Sequence, residues 1–569
     1  MSDSIVLGAA GFIGRATVAR LLARGGSVIA GVRPGSEHRL TTWLRERGVD
    51  QRALDVVACD ITASDLGLPD ELDTSGVRDV YNCAARYAFG LDPDDAYAVN
   101  VTGALHVLDW AAALPELRRV VHITGYRITA PDSTEGSYEN GAYGATKFES
   151  DPKLRERAAQ HGIPLTIANP SAVIGPGQYI GLSPVLEDLW RGKLAAIPGG
   201  RETFVPIVDL DYFAAFLTSL PERADAAGQS YTVLDAETPV LPELIRLLAG
   251  HMGVPAPRFS IPVSVIAKLP QALTRADPET LTFLSEDRYD TSAADELARA
   301  AGIAMPPTEP TLRAWADHLV ASRFGTVEAD PSAGFADGTW VSGDREEPDY
   351  ILLHGLPLNS DSWAALRGEL DGPALAIDLP GLGRSAPGAL DEALPRLMRT
   401  VRSRPVLVGH SLGCGPVLDY ALAHPDRVGG VVLISPAFLQ APASRLVRSP
   451  LAALALRRTT AAALATRLGL PDGPALASAV ADLGRPGVAG RTIAALRAAS
   501  TSERRNALRA ALDRVGVPVR IVVGAEDPLL ERASHDTTVI RGTGHYPQLT
   551  RPEEVAAVIA GVRSDIHPH

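Results

Sequence analysis

The chain has 569 residues, and at about 150 residues per domain this length predicts three to four structural units, or two if they are large α/β domains. Hydrophobic residues make up 46% and charged residues 21%, an ordinary globular composition that argues against a disordered chain. The net charge of −13 argues against nucleic acid or an anionic membrane as a partner, because both require a basic surface.

The cysteines and the apolar runs exclude further classes. Cys59, Cys83 and Cys414 are too few and too far apart for a disulfide framework or a four-cysteine metal site, and we predict no metal. No uninterrupted apolar run reaches the roughly 18 residues of a membrane span. The first residues lead directly into a predicted strand, without the pattern of a signal peptide. We therefore expect a soluble, cytoplasmic protein.

Short apolar runs alternate with amphipathic stretches along the chain, which is typical of parallel sheets covered by helices. The first series of predicted elements comprises a strand at 4–7, a helix at 15–24, and strands at 27–32, 119–123 and 164–168. A second series of predicted strands lies at 350–353, 374–377, 406–408 and 431–434. This alternation predicts an α/β fold in both halves of the chain.

Between the two series the alternation is lost, and Gly, Asp, Ser, Pro and Glu accumulate in residues 324–348. We therefore predict a first domain at 1–323, a linker at 324–334 and a second domain at 335–569. Within the second domain, residues 437–514 are rich in Ala, Leu and Arg at helical spacing and fall between two predicted strands. We interpret this stretch as a helical cap over a site, rather than as ordinary helical packing.

A glycine-rich turn joins the first predicted strand to the first predicted helix. It reads Gly8-Ala-Ala-Gly11-Phe12-Ile13-Gly14. Glycine lets such a turn tighten and lets the backbone approach a pyrophosphate, whose charge is favoured by the amides and the dipole of the helix N-terminus. The turn therefore predicts a dinucleotide site.

The end of the second predicted strand distinguishes NAD from NADP. An NAD site normally places a carboxylate about twenty residues after the glycine turn, where it accepts a hydrogen bond from the ribose. Here the sequence reads Ala30-Gly31-Val32-Arg33, with a base in place of the acid. Arg33 can pair with a 2′-phosphate, so we predict NADP (NADPH) as the cofactor. The alternative is a solvated loop arginine.

A second signal is the pair Tyr143 and Lys147, which lie four residues apart and so share one face of a helix. A nearby ammonium stabilises the phenolate and lowers the pKa of the tyrosine toward a value useful for proton transfer. Because the chain has only four lysines, this spacing is rarely produced by chance. The pair therefore predicts a proton-transfer site.

The glycine turn, the Tyr-Lys pair and their order resemble the extended short-chain dehydrogenase/reductase family, of the NAD-dependent epimerase/dehydratase type, over residues 1–323. The resemblance implies a Rossmann-type doubly wound parallel sheet with a small substrate domain. It implies that Tyr143 donates or accepts the proton and that Lys147 lowers the tyrosine pKa and holds the ribose. It also implies cofactor contacts from Asp60 and Ile61, from Ala84 and Ala85 in the stretch 82–85, and from Pro170 in the stretch 169–176.

One position departs from the pattern of that family. The family usually ends the strand at 120–123 with two small hydroxyl residues, the second of which polarises the substrate carbonyl. This sequence has Thr124 followed by Gly125. Either Thr124 takes the catalytic role on a shifted backbone, or the role is vacant, with Tyr126 as a further candidate.

The second half carries a candidate nucleophile. The stretch Gly409-His-Ser411-Leu412-Gly413 follows a predicted strand, and its glycines permit a sharp turn that exposes the serine hydroxyl. Asp527 ends a strand-like stretch, and His545 lies on a glycine-rich loop 18 residues later. In this nucleophile–acid–base order, His545 would take the proton from Ser411 and Asp527 would orient the imidazole. Glu526 is the rival for the acid.

Residues 335–565 resemble the α/β-hydrolase family, which implies that fold with a helical cap. The resemblance places the oxyanion loop at 353–357, so that the amides of Leu356 and Leu412 would hold the developing oxyanion. We interpret His354 as part of the scaffold of this loop and Cys414 as a packing residue.

Together these sites predict a bifunctional enzyme. One half would be an NADP-dependent carbonyl reductase or alcohol dehydrogenase. The other would be a serine hydrolase that cleaves an ester, thioester or lactone, in consecutive steps of the biosynthesis of an acyl or polyketide-like metabolite. The expected partner is a small-molecule substrate, such as an acyl thioester or a carrier-bound acyl group. Two alternatives remain: a hydrolase or acyltransferase whose first half binds cofactor without redox turnover, and a first half that acts as a nucleotide-sugar epimerase or dehydratase.

Overall fold

Two β-sheets organise the chain, which the computed structural model describes over residues 2–88, 90–129, 137–266, 268, 278–444, 447, 449–528 and 537–566. The chain divides into two units. Unit 1 comprises Met1–Leu186, Ala195–Leu247 and Pro257–Trp315, and unit 2 comprises Glu187–Leu194, Leu248–Ala256 and Ala316–His569. The linker at 324–334 stays a prediction.

Unit 1 is built on a seven-stranded parallel sheet in the order β10-β6-β5-β4-β1-β2-β3. The strand order reverses between β1 and β4, and ligands of open α/β sheets bind outside the carboxyl ends of the strands at such a point. The strands of unit 1 are β1 Ser4–Leu7, β2 Val28–Val32, β3 Leu54–Ala58, β4 Asp79–Asn82, β5 Arg119–Ile123, β6 Leu165–Pro170, β7 Ala172–Ile174, β8 Ile197–Pro198, β9 Ile207–Asp209, β10 Ser230–Val233 and β11 Ser260–Ile261.

Helices cover both faces of this sheet, and for that reason β1 and β2 are apolar on both of their faces. In β1, Val6 packs into a core on the side of α1 and α7, whereas Ile5 and Leu7 pack into a core on the side of α4 and α5. The helices of the first half of the chain are α1 Phe12–Ala23, α2 Glu37–Glu46, α3 Pro93–Tyr97, α4 Ala104–Ala111, α5 Ala142–His161, α6 Ser183–Trp190, α7 Leu210–Ser219, α8 Leu241–His251, α9 Val263–Ile266, α10 Pro278–Thr282, α11 Ser292–Ala300 and α12 Thr308–Ala321.

Unit 2 is built on an eight-stranded sheet in the order β12-β13-β15-β14-β16-β17-β18-β19. The pairs β12–β13 and β13–β15 are antiparallel, and the remaining pairs are parallel. These strands are β12 Gly334–Ala336, β13 Thr339–Gly343, β14 Tyr350–Leu353, β15 Ala374–Ile377, β16 Val406–His410, β17 Gly430–Ile434, β18 Val519–Gly524 and β19 Thr537–Ile540. The helices are α13 Ala364–Glu369, α14 Ala393–Leu397, α15 Cys414–Ala423, α16 Pro450–Arg457, α17 Ala461–Leu468, α18 Pro474–Leu483, α19 Val488–Ala499, α20 Ser502–Leu512, α21 Pro547–Thr550 and α22 Pro552–Ile566.

Five helices, α16–α20, lie between β17 and β18, in the stretch predicted as a cap. Their starts are encoded locally, because the side chains of Ser449, Thr460 and Thr501 each accept a hydrogen bond from a backbone amide of the first turn that follows. Residues 445, 446 and 448 of the predicted cap lie outside the described residues.

The predicted α/β class, with a Rossmann-type parallel sheet followed by an α/β-hydrolase sheet, is confirmed. The strand predicted at 4–7 matches β1, and the helix predicted at 15–24 is α1, which begins three residues earlier. Among the helices that the structure describes, none combines the length and the hydropathy needed to cross a membrane.

Candidate active sites

The glycine-rich turn lies between β1 and the N-terminus of α1. Gly8 has a φ of +75°, and a Cβ atom on it would lie 2.7 Å from the backbone of Ala84. The Gly11 amide donates to the Gly8 carbonyl at 2.9 Å, and a Cβ atom on Gly14 would collide with that same carbonyl. Phe12 and Ile13 open a helix whose first turn carries no acidic residue. This turn therefore leaves the helix N-terminus accessible to an anion.

Arg33 follows β2 and Asp60 follows β3, the next strand of the sheet. Arg33 is exposed, and Ile61 is buried. Hydrogen bonds from Thr62, and to a smaller degree the charge of Arg33, hold the pKa of Asp60 below its ordinary value. The structure therefore brings the predicted 2′-phosphate residue close to the predicted adenine-side residue.

The loop after β4 is fastened by two asparagines. The Asn82 side chain accepts from the Ala84 amide at 3.2 Å. Asn100 lies in a π-helical turn, where its side chain accepts from the Arg86 amide at 2.8 Å and donates to the Thr146 hydroxyl at 3.0 Å. Since Thr146 belongs to α5, one amide group connects the loop that contains Ala84 and Ala85 to the helix that carries Tyr143 and Lys147.

Lys147 is buried, and its ammonium donates to the Ile123 carbonyl at 2.9 Å. Burial lowers the pKa of Lys147 to about 8. One turn earlier on α5, Tyr143 is half-buried, and its ring centroid lies 4.8 Å from that of Tyr87 in the loop after β4. The helix thus places Lys147 at the carboxyl end of β5 and Tyr143 against the loop after β4.

Thr124 continues the strand β5 without a shift of register, since its amide donates to the Ala168 carbonyl at 3.0 Å. Its buried hydroxyl donates to the side-chain oxygen of Asn169, the neighbour of Pro170 in β6. A Cβ atom on Gly125 would meet no atom within 4 Å among the described residues. The Thr124 hydroxyl is therefore committed to the sheet, and open space takes the place of the second hydroxyl. Tyr126 is buried with its ring against Tyr289.

In unit 2, Ser411 stands directly after β16 with a φ of +50°, a conformation that non-glycine residues rarely adopt. The turn closes tightly, because a Cβ atom on Gly409 would lie 2.7 Å from the Gly413 carbonyl oxygen. The Cys414 thiol donates to the Gly409 carbonyl at 3.1 Å, and burial raises its pKa. Cys414 therefore packs beneath the turn, while Ser411 stays partly accessible.

The structure brings Ser411, Asp527 and His545 together. His545 Nε2 lies 3.2 Å from Ser411 Oγ, and His545 Nδ1 lies 2.9 Å from Asp527 Oδ2. The Asp527 side chain is fully buried, whereas 12% of the His545 side chain is exposed. Asp527 follows β18, and His545 lies on the loop before α21. This order of contacts allows proton transfer from the hydroxyl to an imidazole oriented by a carboxylate.

The loop that contains Leu356 passes close to Ser411, because a Cβ atom on Gly355 would lie 2.8 Å from Ser411 Cβ. Leu412 follows Ser411 at the start of a helical turn, and Leu356 lies in the loop after β14. The Tyr546 hydroxyl donates to the Leu356 carbonyl at 3.1 Å, so the loop of the histidine is joined to the loop of the predicted oxyanion amide. His354 accepts from the Leu379 amide through Nε2 at 3.0 Å, and burial lowers its pKa, as befits a neutral scaffold residue.

Two residues at this site were not found by sequence reasoning. His410 Nε2 lies 2.9 Å from the His545 carbonyl oxygen. Gln440, near the start of the predicted cap, is buried beside Asp527 and His545. His410 stands inside the nucleophile motif and could have been examined there, whereas no local pattern marks Gln440.

A buried ionic cluster joins helix α18 to the loops after β14 and β15. Asp482 on α18 accepts from Arg323 at 3.1 Å and from the Asn359 side chain at 2.7 Å. Burial by itself would raise the pKa of Asp482, but the charges of Arg323, Arg384 and Arg485 outweigh burial and lower it. Asp378, which follows β15, accepts from the Arg384 amide at 2.7 Å. These contacts hold the loop that begins at Leu356 against a helix of the predicted cap.

Family models match the two halves separately. Residues 4–189 match the model of the NAD dependent epimerase/dehydratase family, and residues 350–558 match the model of the alpha/beta hydrolase family. The first match covers the glycine turn and the Tyr-Lys pair, and the second covers the Ser-Asp-His arrangement.

Individual curated relatives also match one half of the chain or the other. Sterol demethylase protein B of Methylococcus capsulatus is 27% identical over 46% of this chain and 77% of its own length. A pimeloyl-(acyl-carrier protein) methyl ester esterase of Aromatoleum aromaticum is 32% identical over 38% of this chain and 98% of its own length. Among solved structures, the terminal R domain from the myxalamid PKS-NRPS biosynthetic pathway aligns with 58% of this chain and 93% of its own, at 18% identity and a TM-score of 0.46.

Proposed function

The chain belongs to the alpha/beta hydrolase family through residues 350–558 and carries an NAD dependent epimerase/dehydratase domain in residues 4–189, and we propose that it is therefore a bifunctional enzyme. Its second half is a serine hydrolase that cleaves an ester, thioester or lactone. Its first half is an NADP-dependent carbonyl reductase or alcohol dehydrogenase. Consecutive reactions on one acyl or polyketide-like intermediate would explain why the two halves share a chain.

The contact of His545 with both Ser411 and Asp527 carries the hydrolase proposal. His545 Nε2 takes the proton as Ser411 Oγ attacks the acyl carbon, and Asp527 stabilises the imidazolium that forms. The amides of Leu356 and Leu412 hold the oxyanion, a contribution usually worth about 3 kcal/mol per donor. The proton then passes to the leaving oxygen or sulfur, and a water molecule activated by His545 releases the acid.

The hydrolase proposal is tested with a fluorophosphonate probe and with p-nitrophenyl butyrate. We expect the wild-type protein to be labelled and to hydrolyse the ester, and Ser411→Ala to lose both by at least three orders of magnitude. Ser502→Ala, at an exposed helix start, is the matched control. Full labelling of Ser411→Ala would remove the nucleophile assignment.

The residues of unit 1 fit a nicotinamide dinucleotide. A pyrophosphate is accommodated where side chains are excluded, at Gly8 and Gly14, against a helix N-terminus without acidic neighbours. Asp60 and Ile61 would border the adenine, and the exposed Arg33 would pair with a 2′-phosphate. The absence of an acid at that position supports NADP over NAD.

When bound, NADP(H) would supply or accept a hydride. The protein's own part is proton transfer at the Tyr143 hydroxyl. Lys147 supports this proton transfer, because a buried cation on the same helix favours the phenolate form of Tyr143. Asn100 keeps the loop after β4 in register with this helix.

The cofactor proposal is tested by titrating the protein with NADPH and NADH while nicotinamide fluorescence is followed. We expect tighter binding of NADPH, and a loss of about tenfold or more in NADPH affinity in Arg33→Ala with little change for NADH. Arg52→Ala is the control, because Arg52 is also an exposed arginine but is paired with Asp50 and lies away from the glycine turn in sequence. Equal affinity for the two nucleotides would overturn the NADP assignment.

A second candidate for unit 1 is a cofactor-binding domain without redox turnover. It is favoured by one observation: the Thr124 hydroxyl is committed to Asn169, and Gly125 offers no hydroxyl for a carbonyl. NADPH binding without reduction of any of a panel of aldehydes, ketones and acyl thioesters would support this candidate. An epimerase or dehydratase would instead turn over without added reductant.

We also propose that the acyl group arrives on a carrier. In a chain of net charge −13, residues 437–514 contain twelve arginines and four acidic residues. Exposed members are Arg457, Arg458, Arg467, Arg497 and Arg514. Such a surface suits an acidic carrier protein. We expect hydrolysis of a carrier-bound acyl group to lose kcat/KM with added salt much more steeply than hydrolysis of p-nitrophenyl butyrate, and equal salt dependence would contradict a carrier.

A further inference from the structure

Gln440 brings a residue of the helical stretch into contact with the acid–base pair. Its Nε2 atom lies 2.8 Å from Asp527 Oδ2 and 3.1 Å from His545 Nδ1. The same Asp527 oxygen lies 2.9 Å from His545 Nδ1. Asp527 Oδ2, Gln440 Nε2 and His545 Nδ1 thus form a small triangle of polar atoms.

The chemistry of the triangle determines how the amide of Gln440 is oriented. If its oxygen faced Asp527, two acceptor atoms would lie 2.8 Å apart with no hydrogen between them. With nitrogen in that place, the amide donates to Asp527 Oδ2, and the imidazole Nδ1–H donates to the same oxygen. Asp527 Oδ2 therefore receives a hydrogen bond from the base and another from Gln440.

Gln440 is held where this bond requires it. It follows β17 by a short helical turn, and only 3% of the residue is exposed. Its carbonyl accepts a hydrogen bond from Arg505 on α20, so the guanidinium acts on the backbone of Gln440. His410 also faces His545, but burial lowers its pKa to about 3, and it contributes no charge near neutral pH.

We propose that Gln440 is a positioning residue of the hydrolase site, which fixes the Asp527 carboxylate and moderates its attraction for the His545 imidazolium. This inference rests on the proposed hydrolase function. A donor on Asp527 withdraws part of the charge that the imidazolium would otherwise feel. The positive end of the amide dipole, 3.1 Å from Nδ1, acts in the same direction. Without Gln440 the imidazole would hold its proton to higher pH, and the carboxylate would be less well oriented.

The test compares wild type with Gln440→Met, which keeps the length of the side chain and removes the donor. We expect the acidic limb of the kcat/KM profile for p-nitrophenyl butyrate to move up by about half a pH unit or more. We expect kcat to fall about tenfold with KM within about twofold. Gln440→Leu, which also lacks a donor, should move the limb in the same direction. This second variant provides the same test if Gln440→Met does not fold.

Gln548→Met is the matched control. Gln548 is fully buried in the same unit, three residues after His545, and its amide atoms have no hydrogen-bond partner among the described residues. We expect Gln548→Met to keep the pH profile and kcat. An unchanged profile and kcat in both Gln440 variants, or a change in KM alone, would overturn the inference.

A readout without catalysis separates this inference from the hydrolase proposal. The titration midpoint of the His545 imidazole is followed by NMR of the histidine-labelled protein and assigned with His545→Gln. We expect it to rise in Gln440→Met relative to wild type. Failure of the wild type to react with fluorophosphonate would count against the hydrolase, whereas an equal midpoint in the two proteins would count against the role of Gln440.

Discussion

His410 Nε2 lies 2.9 Å from the carbonyl oxygen of His545, so the residue directly before the nucleophile holds the backbone of the proposed general base. Burial lowers the pKa of His410 to about 3, and the neutral ring donates through Nε2. The His410 ring also lies against Tyr546, with centroids 5.0 Å apart. The nucleophile turn and the histidine loop are therefore packed and hydrogen-bonded to each other.

Replacing His410 tests this contact. His410→Phe keeps a ring but removes the donor and leaves the partly buried His545 carbonyl oxygen without that partner. We expect a loss of about 1–3 kcal/mol in the free energy of unfolding and about tenfold slower labelling by fluorophosphonate. His424→Phe, at an exposed position beside Tyr420, should change neither quantity. Wild-type labelling rates in His410→Phe would show that the contact does not matter to the site.

The depressed pKa of Lys147 predicts a pH-dependent stability. A lysine with a folded-state pKa of about 8 binds fewer protons folded than unfolded between about pH 8 and 10.5, so stability rises with pH across that window. Below pH 8 its buried charge opposes folding by on the order of 3 kcal/mol. We expect Lys147→Met to raise the melting temperature at pH 7 without bound nucleotide, and to have little effect at pH 10.5.

Calorimetry at the two pH values checks this expectation, with Lys153→Met as control. The Lys153 ammonium is paired with Glu149 at 2.7 Å on the surface of α5, so its removal should cost no more than about 1 kcal/mol at pH 7. A lower melting temperature for Lys147→Met than for Lys153→Met at pH 7 would contradict the prediction.

The open space at Gly125 predicts a gain of function. Gly125→Ser places a hydroxyl where the family pattern has one, and its Cβ atom meets no described atom within 4 Å. If unit 1 reduces carbonyl groups, we expect the variant to raise kcat/KM for an aldehyde by about tenfold or more through a new hydrogen bond to the carbonyl. Gly250→Ser, also in open space, is the control. No gain, with NADPH binding intact, would favour the domain without redox turnover.

Removing the charge of Asp482 should lower the stability of unit 2 strongly. Only 1% of Asp482 is exposed, and its carboxylate balances Arg323 and Arg384. Asp482→Asn leaves these guanidiniums with less compensation, and we expect unit 2 to lose about 3 kcal/mol of stability in urea unfolding. The exposed Asp472→Asn should be neutral. Equal midpoints for the two variants would contradict a stabilising role for the cluster.

Features with a local cause could be predicted from the sequence. The strand at 350–353 was predicted residue for residue because a buried parallel strand reads as a short apolar run. The strand at 119–123 was also predicted residue for residue, from the apolar residues around Arg119 and His122. The glycine turn was also found, since Gly8 and Gly14 stand where no side chain fits.

Features that depend on contacts between distant residues could not be predicted in this way. Thr124 and Asn169 are 45 residues apart, and only the pairing of β5 with β6 explains why the threonine hydroxyl donates to Asn169. Gln440 and Asp527 lie 87 positions apart, and the described helices α16–α20 all lie between them. No periodicity or motif predicts which residue of such a stretch reaches a carboxylate.

The hydrogen bond from the Tyr546 hydroxyl to the Leu356 carbonyl joins the loop of the proposed general base to the loop of the proposed oxyanion amide. A ligand that displaces the loop after β14 also pulls on the residue beside the general base. Substitutions that change substrate preference without lowering the rate should therefore lie outside the loop after β14 and the loop of His545 and Tyr546. We expect such variation at exposed positions of α16–α20, away from Asp482, which binds the loop after β14, and from Arg505, which binds the Gln440 backbone.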